Sequence, residues 1–226
     1  MDKGLASKTR ALAWNTIRSF LKANRVMVNV QFKGRIQVKR EDRAPTKEEV
    51  RRLLDCLDIR GKAVVALAAF AGLRLDTIAK LKYRAIQKDF EAERIPMKIQ
   101  VEPEWAKGGI RYYTFLNKLG YEYLKMYLQT RKTIKPEDPL IASKKGEGHL
   151  THSDFVSRII WRGMKKAGLT NHEWTPYDLR KYFKTRLIAG GMKEGWTERL
   201  MGHITSLKQI YDVPTEEELR TAYLQA

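Results

Sequence analysis

The sequence has little of what would cross-link a protein or anchor it in a membrane. It holds one cysteine, Cys56, among 226 residues, which excludes an intramolecular disulfide and a cysteine-rich zinc site and fits a reducing cytosol. The longest apolar stretch, residues 63–73, is much shorter than the roughly 20 residues that span a bilayer. We expect no signal peptide, because Lys8 and Arg10 interrupt the first apolar stretch. We therefore expect a cytoplasmic protein without a membrane partner.

Negative charge is also scarce. The 44 Lys and Arg residues outnumber 26 Asp and Glu residues, so the net charge is +18. A disordered basic tail is excluded for most of the chain, because 43% of the residues are hydrophobic and 22 are aromatic, with 5 Trp, 10 Tyr and 7 Phe. The positive excess predicts a polyanionic partner, of which nucleic acid is the first candidate.

The periodicity of apolar residues predicts a mainly helical chain. Residues 7–28 form an amphipathic helix, and a basic stretch follows that contains Lys33, Arg35, Lys39, Arg40 and Arg43. Thr46 and Glu49 form a capping box for the next helix, and residues 63–70 are apolar on all sides, which predicts a buried helix. Asp76 is positioned to cap the helix after that one.

The period changes between residues 95 and 116. Met97, Ile99 and Val101 alternate with polar residues, and a turn at Lys107 precedes an aromatic, β-branched segment. This pattern predicts an antiparallel hairpin. Helical patterns then resume, and Thr215 with Glu218 makes a second capping box, which opens a last helix over 215–225. The expected fold class is mainly α with a small antiparallel β-sheet, an α+β fold.

Four short motifs follow one another along the chain. They are Gly72-Leu73-Arg74, then Tyr177-Asp178-Leu179-Arg180, then Leu200-Met201-Gly202-His203, and finally Tyr211, eight residues after His203. Their order and spacing resemble the tyrosine recombinase (phage-type integrase) family, most closely the integrases of archaeal viruses and plasmids. The resemblance covers residues 46–226 and implies a tyrosine recombinase catalytic domain.

The resemblance implies that Arg74, Arg180 and His203 hold one DNA phosphate while Tyr211 attacks it. Attack on a phosphodiester builds negative charge on its oxygens, and arginine offers a fork of donors that does not deprotonate. The implied product is a 3′-phosphotyrosyl link with a free 5′-hydroxyl, to whose oxygen Lys107 supplies a proton. Because the covalent link keeps the bond energy, we expect no ATP, no metal and no other cofactor.

Three positions depart from the family pattern. Tyr177 stands where the family has histidine and is a weaker base near neutral pH. Thr77, beside Asp76, stands where the family has an acid three residues after the first arginine, and the sequence does not identify the acid that supports Arg74. Met201 replaces a leucine of similar volume.

Each motif residue also has an ordinary explanation when it is taken alone. Arg180 could cover a helix face with its stem, His203 could belong to a turn, and Tyr211 could be a packed aromatic residue. Only their joint order favours catalysis. We interpret Tyr223, the rival nucleophile, as a packing residue of the last helix. The other histidines have no metal-ligand spacing, so we predict no metal site at His149, His152 and His172.

The resemblance also implies a domain organisation and partners. Residues 1–29 correspond to the end of an N-terminal core-binding domain, residues 30–44 to a basic linker that crosses the DNA backbone, and residues 45–226 to the catalytic domain. The expected partner is double-stranded DNA with an attachment site, bound by a homotetramer whose subunits are monomers or weak dimers when free. The last helix suits docking on a neighbouring protomer and packing on its own chain equally.

Three functions are compatible with these residues. The first is a site-specific recombinase or integrase of a mobile element or virus in a prokaryotic, archaeal host. The second is a type IB topoisomerase, which uses the same tyrosine chemistry. The third is a DNA-binding module without catalysis, which only Tyr177 supports.

Overall fold

The computed structural model describes residues 7–27, 43–143, 153–170, 173–203 and 213–226. The chain divides into two compact units, Met1–Glu41 and Asp42–Ala226. In the first unit the described residues include helix α1 (Ser7–Ala23), on which Leu12, Ile17 and Phe20 are exposed. Within the described ranges no helix is both long and apolar enough to cross a bilayer. Four of the predicted linker cations lie outside the described residues, namely Lys33, Arg35, Lys39 and Arg40.

The second unit is built around one buried helix. Helix α2 (Lys47–Asp55) begins with the predicted capping box, in which Thr46 Oγ1 accepts from the Glu49 amide and the Glu49 carboxylate accepts from the Thr46 amide. Asp58 then caps helix α3 (Ile59–Ala69) by accepting from the Gly61 amide at 2.8 Å. Residues 63–69 of α3 are at most 2% exposed, so the prediction of a buried helix is confirmed.

The other helices surround α3. Helices α6 (Lys118–Gln129), α7 (Ser153–Lys166) and α8 (Leu179–Ala189) pack directly against it. The short helices α4 (Leu75–Lys80) and α5 (Gln87–Glu91) follow it in sequence. Three 3₁₀ turns connect these elements, at Tyr83–Ala85, Pro103–Trp105 and Pro176–Asp178.

The predicted hairpin is present as the sheet of the described structure. Strand β1 (Met97–Val101) pairs antiparallel with β2 (Tyr112–Leu116), so that Met97 faces Leu116 and Val101 faces Tyr112. Alternate residues of β1 are buried, as the alternating sequence predicts for a strand with one face on the core. The fold is therefore mainly helical with a small antiparallel sheet, as expected.

Helices α9 (Glu194–Leu200) and α10 (Glu216–Gln225) close a second apolar cluster on the other side of the sheet. Phe115, Phe183 and Leu200 meet Leu219 and Tyr223 of α10 there. Helix α10 begins with the predicted capping box at Thr215 and packs on its own chain. Of its predicted apolar face, Leu224 is 59% exposed.

A buried arginine connects α10 to helix α5 and to the residue that precedes β1. Arg220 is 4% exposed and donates to Asp89 Oδ2 at 3.0 Å, to Glu216 Oε1 at 2.9 Å and to the Pro96 carbonyl. Asp89 is itself buried and also accepts from the Lys98 amide at 2.8 Å. The ion pair is thus shielded from water, and either partner alone would be a buried, uncompensated charge.

We expect Arg220→Ala to lower the free energy of unfolding by about 3–5 kcal/mol, because Asp89 would keep a buried charge without its partner. Urea unfolding at constant pH and salt measures the change. Arg94→Ala is the control, since the Arg94 pair with Glu217 at 2.9 Å is exposed and its loss changes stability little. Equal losses of stability in the two variants would show that the buried pair does not hold α10 in place.

Candidate active site

Arg74 is positioned by a sharp turn after α3. Gly72 has φ +63°, and a Cβ atom at this position would overlap the Phe183 ring, so only glycine permits this path of the chain. Arg74 is the N-cap residue of α4. The prediction that Asp76 caps this helix is therefore wrong, because Asp76 lies inside the first turn. Among the described residues, the partly buried Arg74 side chain has no hydrogen-bond partner, and its donors remain available.

Arg180 forms hydrogen bonds with both of the other described motifs. It lies in the first turn of α8, and its guanidinium donates to the carbonyls of Gly72 and Met201. Burial and, next, the positive charge of Arg74 lower the pKa of Arg180 to about 10. The side chain is thus still protonated at neutral pH and is held on both sides by fixed carbonyl groups.

His203 follows a second sharp turn, at the end of α9. Gly202 has φ +66°, and a Cβ atom there would lie 2.7 Å from the Tyr112 ring. His203 Nε2 lies 3.1 Å from Arg180 Nη2, and His203 Nδ1 lies 2.5 Å from Glu198 Oε2. Burial lowers the pKa of His203 below its usual value, although the hydrogen bond with Glu198 raises it. The imidazole is therefore neutral near pH 7.

Two residues that the sequence analysis missed stand behind His203. Glu198 accepts a hydrogen bond from Lys184 Nζ at 2.5 Å, and Lys184 also pairs with Glu194 at 2.8 Å. Burial opposes the charge of Glu198, but hydrogen bonds from Lys184 and His203 bring the pKa of its carboxyl below the usual value. The i,i+4 spacing of Arg180 and Lys184 on α8 was a signal that could have found this group.

Tyr112 and Thr77 occupy the buried side of the two arginines. Tyr112 is 6% exposed, so its hydroxyl is withdrawn from water. Burial raises the pKa of Tyr112, while the charges of Arg180 and Arg74 oppose that shift. Thr77, which stands where the family has an acid, is buried and donates to the Trp105 carbonyl at 3.1 Å.

Neither of the two arginines pairs with a carboxylate in the part of the chain that the structure describes. Across the described ranges, no Asp or Glu forms an ion pair with Arg74 or Arg180, Asp76 included. Two positive charges therefore face the same site, and burial of Arg180 weakens the screening of its charge by water. Such an arrangement suits an anion with several oxygens, such as a phosphate diester.

Two other predicted site residues form no hydrogen bond with this cluster among the described residues. Lys107 is exposed in the connection between β1 and β2, and Tyr177 is 60% exposed in the 3₁₀ turn before α8. Tyr211 lies outside the described residues. Tyr223 is a packing residue, as predicted: it is buried, and its hydroxyl donates to the Phe70 carbonyl at 2.6 Å.

Arg43 has partners within the protein. It bonds to Glu49 at 2.7 Å and also pairs with Glu173, and hydrogen bonds with these two carboxylates raise its pKa. Two internal carboxylates thus balance the charge that we had assigned to the DNA backbone. Within the described residues no cluster of His, Cys, Asp or Glu is placed to hold a metal ion. The other three histidines lie outside these residues, namely His149, His152 and His172.

Comparison with known proteins gives consistent matches over most of the chain. The family model described as "Phage integrase family" matches residues 44–217. Tyrosine recombinase XerC of Lactobacillus leichmannii is 27% identical over 238 residues, which cover 98% of this chain and 77% of that protein. Tyrosine recombinase XerA of Pyrococcus horikoshii is 28% identical over 185 residues, which cover 80% of this chain and 60% of that protein.

A solved structure supports the same fold. The Tn1549 transposon integrase, in complex with circular intermediate DNA, superposes with a TM-score of 0.70 at 18% identity. The superposition covers 97% of this chain and 80% of the integrase chain. The arrangement of helices around α3 and the hairpin is therefore shared with a protein whose sequence has diverged widely.

Proposed function

The chain belongs to the phage integrase family, and on this premise we propose that it is a site-specific DNA recombinase that cuts and rejoins DNA through a phosphotyrosyl intermediate. One observation carries the proposal: Arg180 bonds to the Gly72 carbonyl and lies 3.1 Å from His203 Nε2. Three motifs, the first of which precedes the other two by more than a hundred residues, thus meet at one positively charged site.

In the proposed reaction Arg74 and Arg180 bind the non-bridging oxygens of the scissile phosphate. The two side chains stabilise the transition state most, because negative charge develops on these oxygens there. Their donors are already oriented, and Arg180 is largely withdrawn from water. Arg180 is held in position before DNA binds, since it donates to the Gly72 and Met201 carbonyls. This preorganisation supports a catalytic role beyond simple DNA binding.

We propose Tyr211 as the nucleophile and Lys107 as the general acid. The Tyr211 oxygen forms a bond to phosphorus while the bond from phosphorus to the 5′-oxygen breaks, and Lys107 gives that oxygen a proton. Rejoining reverses these steps with a 5′-hydroxyl from the partner strand. We also propose that Tyr177, which is 60% exposed, donates a hydrogen bond to a phosphate oxygen.

The biological setting and the assembly are further parts of the proposal. The resemblance of the motifs to archaeal integrases supports integration or excision of a mobile element or viral genome in the cytoplasm of an archaeal host. A homotetramer on double-stranded DNA is the proposed active assembly. Leu224 on α10, which is 59% exposed, offers an apolar contact to a neighbouring subunit.

We expect the basic stretch to hold the DNA backbone. Each phosphate contact contributes about 0.9 to the slope of log K against log salt, so replacing Lys33, Arg35, Lys39 and Arg40 together by Gln lowers that slope by up to about 3.6. Fluorescence anisotropy over a series of salt concentrations measures it. The control removes four exposed lysines elsewhere, namely Lys88, Lys118, Lys132 and Lys135. The same change of slope in both variants would assign the effect to net charge alone.

The function is tested by trapping the covalent intermediate. The full chain is incubated with sheared, end-labelled DNA from the organism that carries the gene, and then with nicked duplexes of the enriched fragment, at several pH values and temperatures. A labelled protein band on a denaturing gel is expected. Binding without any adduct would point to a DNA-binding module, and relaxation of any supercoiled plasmid would point to a topoisomerase.

A further inference from the structure

The Glu198 carboxylate lies next to the Nδ1 side of the His203 ring and is mostly buried. Its side chain is 17% exposed, and each of its oxygens has a partner: Oε1 accepts from Lys184 and Oε2 faces His203 Nδ1, both at 2.5 Å. Lys184 is held in turn by Glu194 at 2.8 Å. A carboxylate fixed in this way, with its pKa below the usual value, is ionised at neutral pH and can only accept hydrogen bonds.

These contacts select one tautomer of His203. Because ionised Glu198 only accepts, Nδ1 must carry the proton. On the other side of the ring, Arg180 Nη2 lies 3.1 Å from Nε2 and can only donate, so Nε2 must present its lone pair. The neutral imidazole is thus oriented with its acceptor nitrogen toward the arginines. The family resemblance implies that His203 donates to the phosphate, whereas these partners make Nε2 an acceptor.

We propose that Glu198 is a positioning residue that makes His203 Nε2 the proton acceptor for the attacking tyrosine hydroxyl. This inference rests on the proposed function. In the cleavage step the tyrosine proton moves to Nε2 as the bond from oxygen to phosphorus forms, and the 5′-oxygen leaves with the Lys107 proton. Rejoining returns each proton to its source, so the step needs no further reactant.

The proposal gives this chain the base that Tyr177 does not supply. A carboxylate behind a histidine stabilises the imidazolium that forms when the ring takes a proton, and it keeps the ring in place. Arg180 can give up its contact with Nε2 without losing all partners, because Nη2 also donates to the Met201 carbonyl. The acceptor nitrogen is then free for the tyrosine hydroxyl.

The charged and titratable groups around His203 set its protonation range. Glu198 and, through it, Lys184 lie on the Nδ1 side, Arg180 lies on the Nε2 side, and Arg74 adds a second positive charge. The Tyr112 ring contacts Gly202 from β2 and carries a neutral hydroxyl. Burial and the arginines lower the pKa of His203, while Glu198 raises it. The proton acceptor is therefore available down to mildly acidic pH and is lost below the pKa of His203.

The first test does not depend on the catalytic activity of any variant. Two-bond ¹H–¹⁵N correlation spectra of the uniformly labelled full chain resolve the tautomer of each of its 4 histidines, and His203→Asn identifies the signals of His203. We expect the proton on Nδ1 at pH 7 to 8. A proton on Nε2 would overturn the proposal, whatever the covalent-adduct assay gives.

The second test compares two carboxylates that share Lys184. Glu198→Gln removes the interaction that raises the pKa of His203. In the pH profile of the single-turnover cleavage rate, the acidic limb, where the rate falls as His203 is protonated, therefore shifts to lower pH. The rate on its plateau falls about 10- to 100-fold, because the imidazolium loses its stabilising charge. Glu194→Gln, which removes an exposed carboxylate that does not contact His203, leaves both the limb and the plateau close to wild type.

Two results of this comparison would contradict the proposal. One is an acidic limb that stays in place in Glu198→Gln while the rate falls equally at every pH, which is the result of a purely structural role. The other is an equal effect of Glu194→Gln. If Glu198→Gln fails to fold, as judged by circular dichroism, the tautomer measured on the wild-type chain still decides. Failure of the proposed function is separate, because it would appear as the absence of any covalent adduct.

Discussion

Tyr211→Phe is expected to abolish the covalent protein–DNA adduct while the chain still folds and binds DNA. The proposed mechanism has one nucleophilic oxygen, and its removal leaves nothing that can form a bond to phosphorus. Loss of a nucleophile typically costs on the order of 10⁴-fold or more in rate. Denaturing gels with an end-labelled nicked duplex measure adduct formation, and fluorescence anisotropy at the same salt concentration measures binding.

The matched control is Tyr223→Phe. The Tyr223 hydroxyl is buried and donates to the Phe70 carbonyl at 2.6 Å, and burial raises its pKa, so it cannot form a phenolate at neutral pH. Loss of this hydrogen bond lowers the stability by about 1 kcal/mol and leaves the adduct intact. An adduct that persists in Tyr211→Phe would refute the proposed nucleophile, and peptide mapping of the labelled band would then identify the tyrosine that carries the DNA.

The elements with strong local signals were predictable. Two capping boxes predict where helices α2 and α10 begin, because the hydrogen bonds of a capping box form within four residues. They are Thr46 with Glu49 and Thr215 with Glu218. Residues 63–69 of helix α3 are apolar on every side, and such a pattern is stable only when the helix is buried. The hairpin shows the alternation that a strand with one buried face requires. In all of these cases the deciding contacts lie close together in sequence.

The contacts that complete the site depend on packing between distant segments. Asp76 was expected to cap α4, but the turn at Gly72 places Arg74 at the cap position instead. Arg43 was assigned to the DNA backbone by the charge of its neighbours, although Glu173, which is 130 residues away, pairs with it. No local pattern records a partner at that distance.

The motifs themselves were found, but not the residues that orient them. Arg180 and His203 were identified by their order and spacing, and they lie together in the structure. Glu198 and Tyr112 were missed because a carboxylate on an amphipathic helix and a tyrosine on a strand are ordinary surface and packing residues in sequence terms. Their importance comes from the turn at Gly202, which brings the end of α9 against both β2 and α8.

Arg180→Ala is expected to lower the single-turnover cleavage rate by about 10³-fold or more while DNA affinity changes little. Removal of one preorganised donor from a site where charge develops costs about 10²- to 10³-fold, and Arg180 offers several donors and a charge that persists at neutral pH. DNA affinity depends on many phosphate contacts, so the loss of one cation among 44 basic residues is a small part of it.

The control for charge is Arg186→Ala, which removes one positive charge from the exposed side of the same helix α8. It is expected to cleave at nearly the wild-type rate.

Because Arg180 also donates hydrogen bonds to the Gly72 and Met201 carbonyls, its removal lowers the free energy of unfolding by about 1–3 kcal/mol. Arg74→Ala separates the two effects, since Arg74 has no hydrogen bond to the described residues: it should lose cleavage without the loss of stability. Cleavage by Arg180→Ala within about tenfold of wild type would mean that the site where these motifs meet does not hold the scissile phosphate.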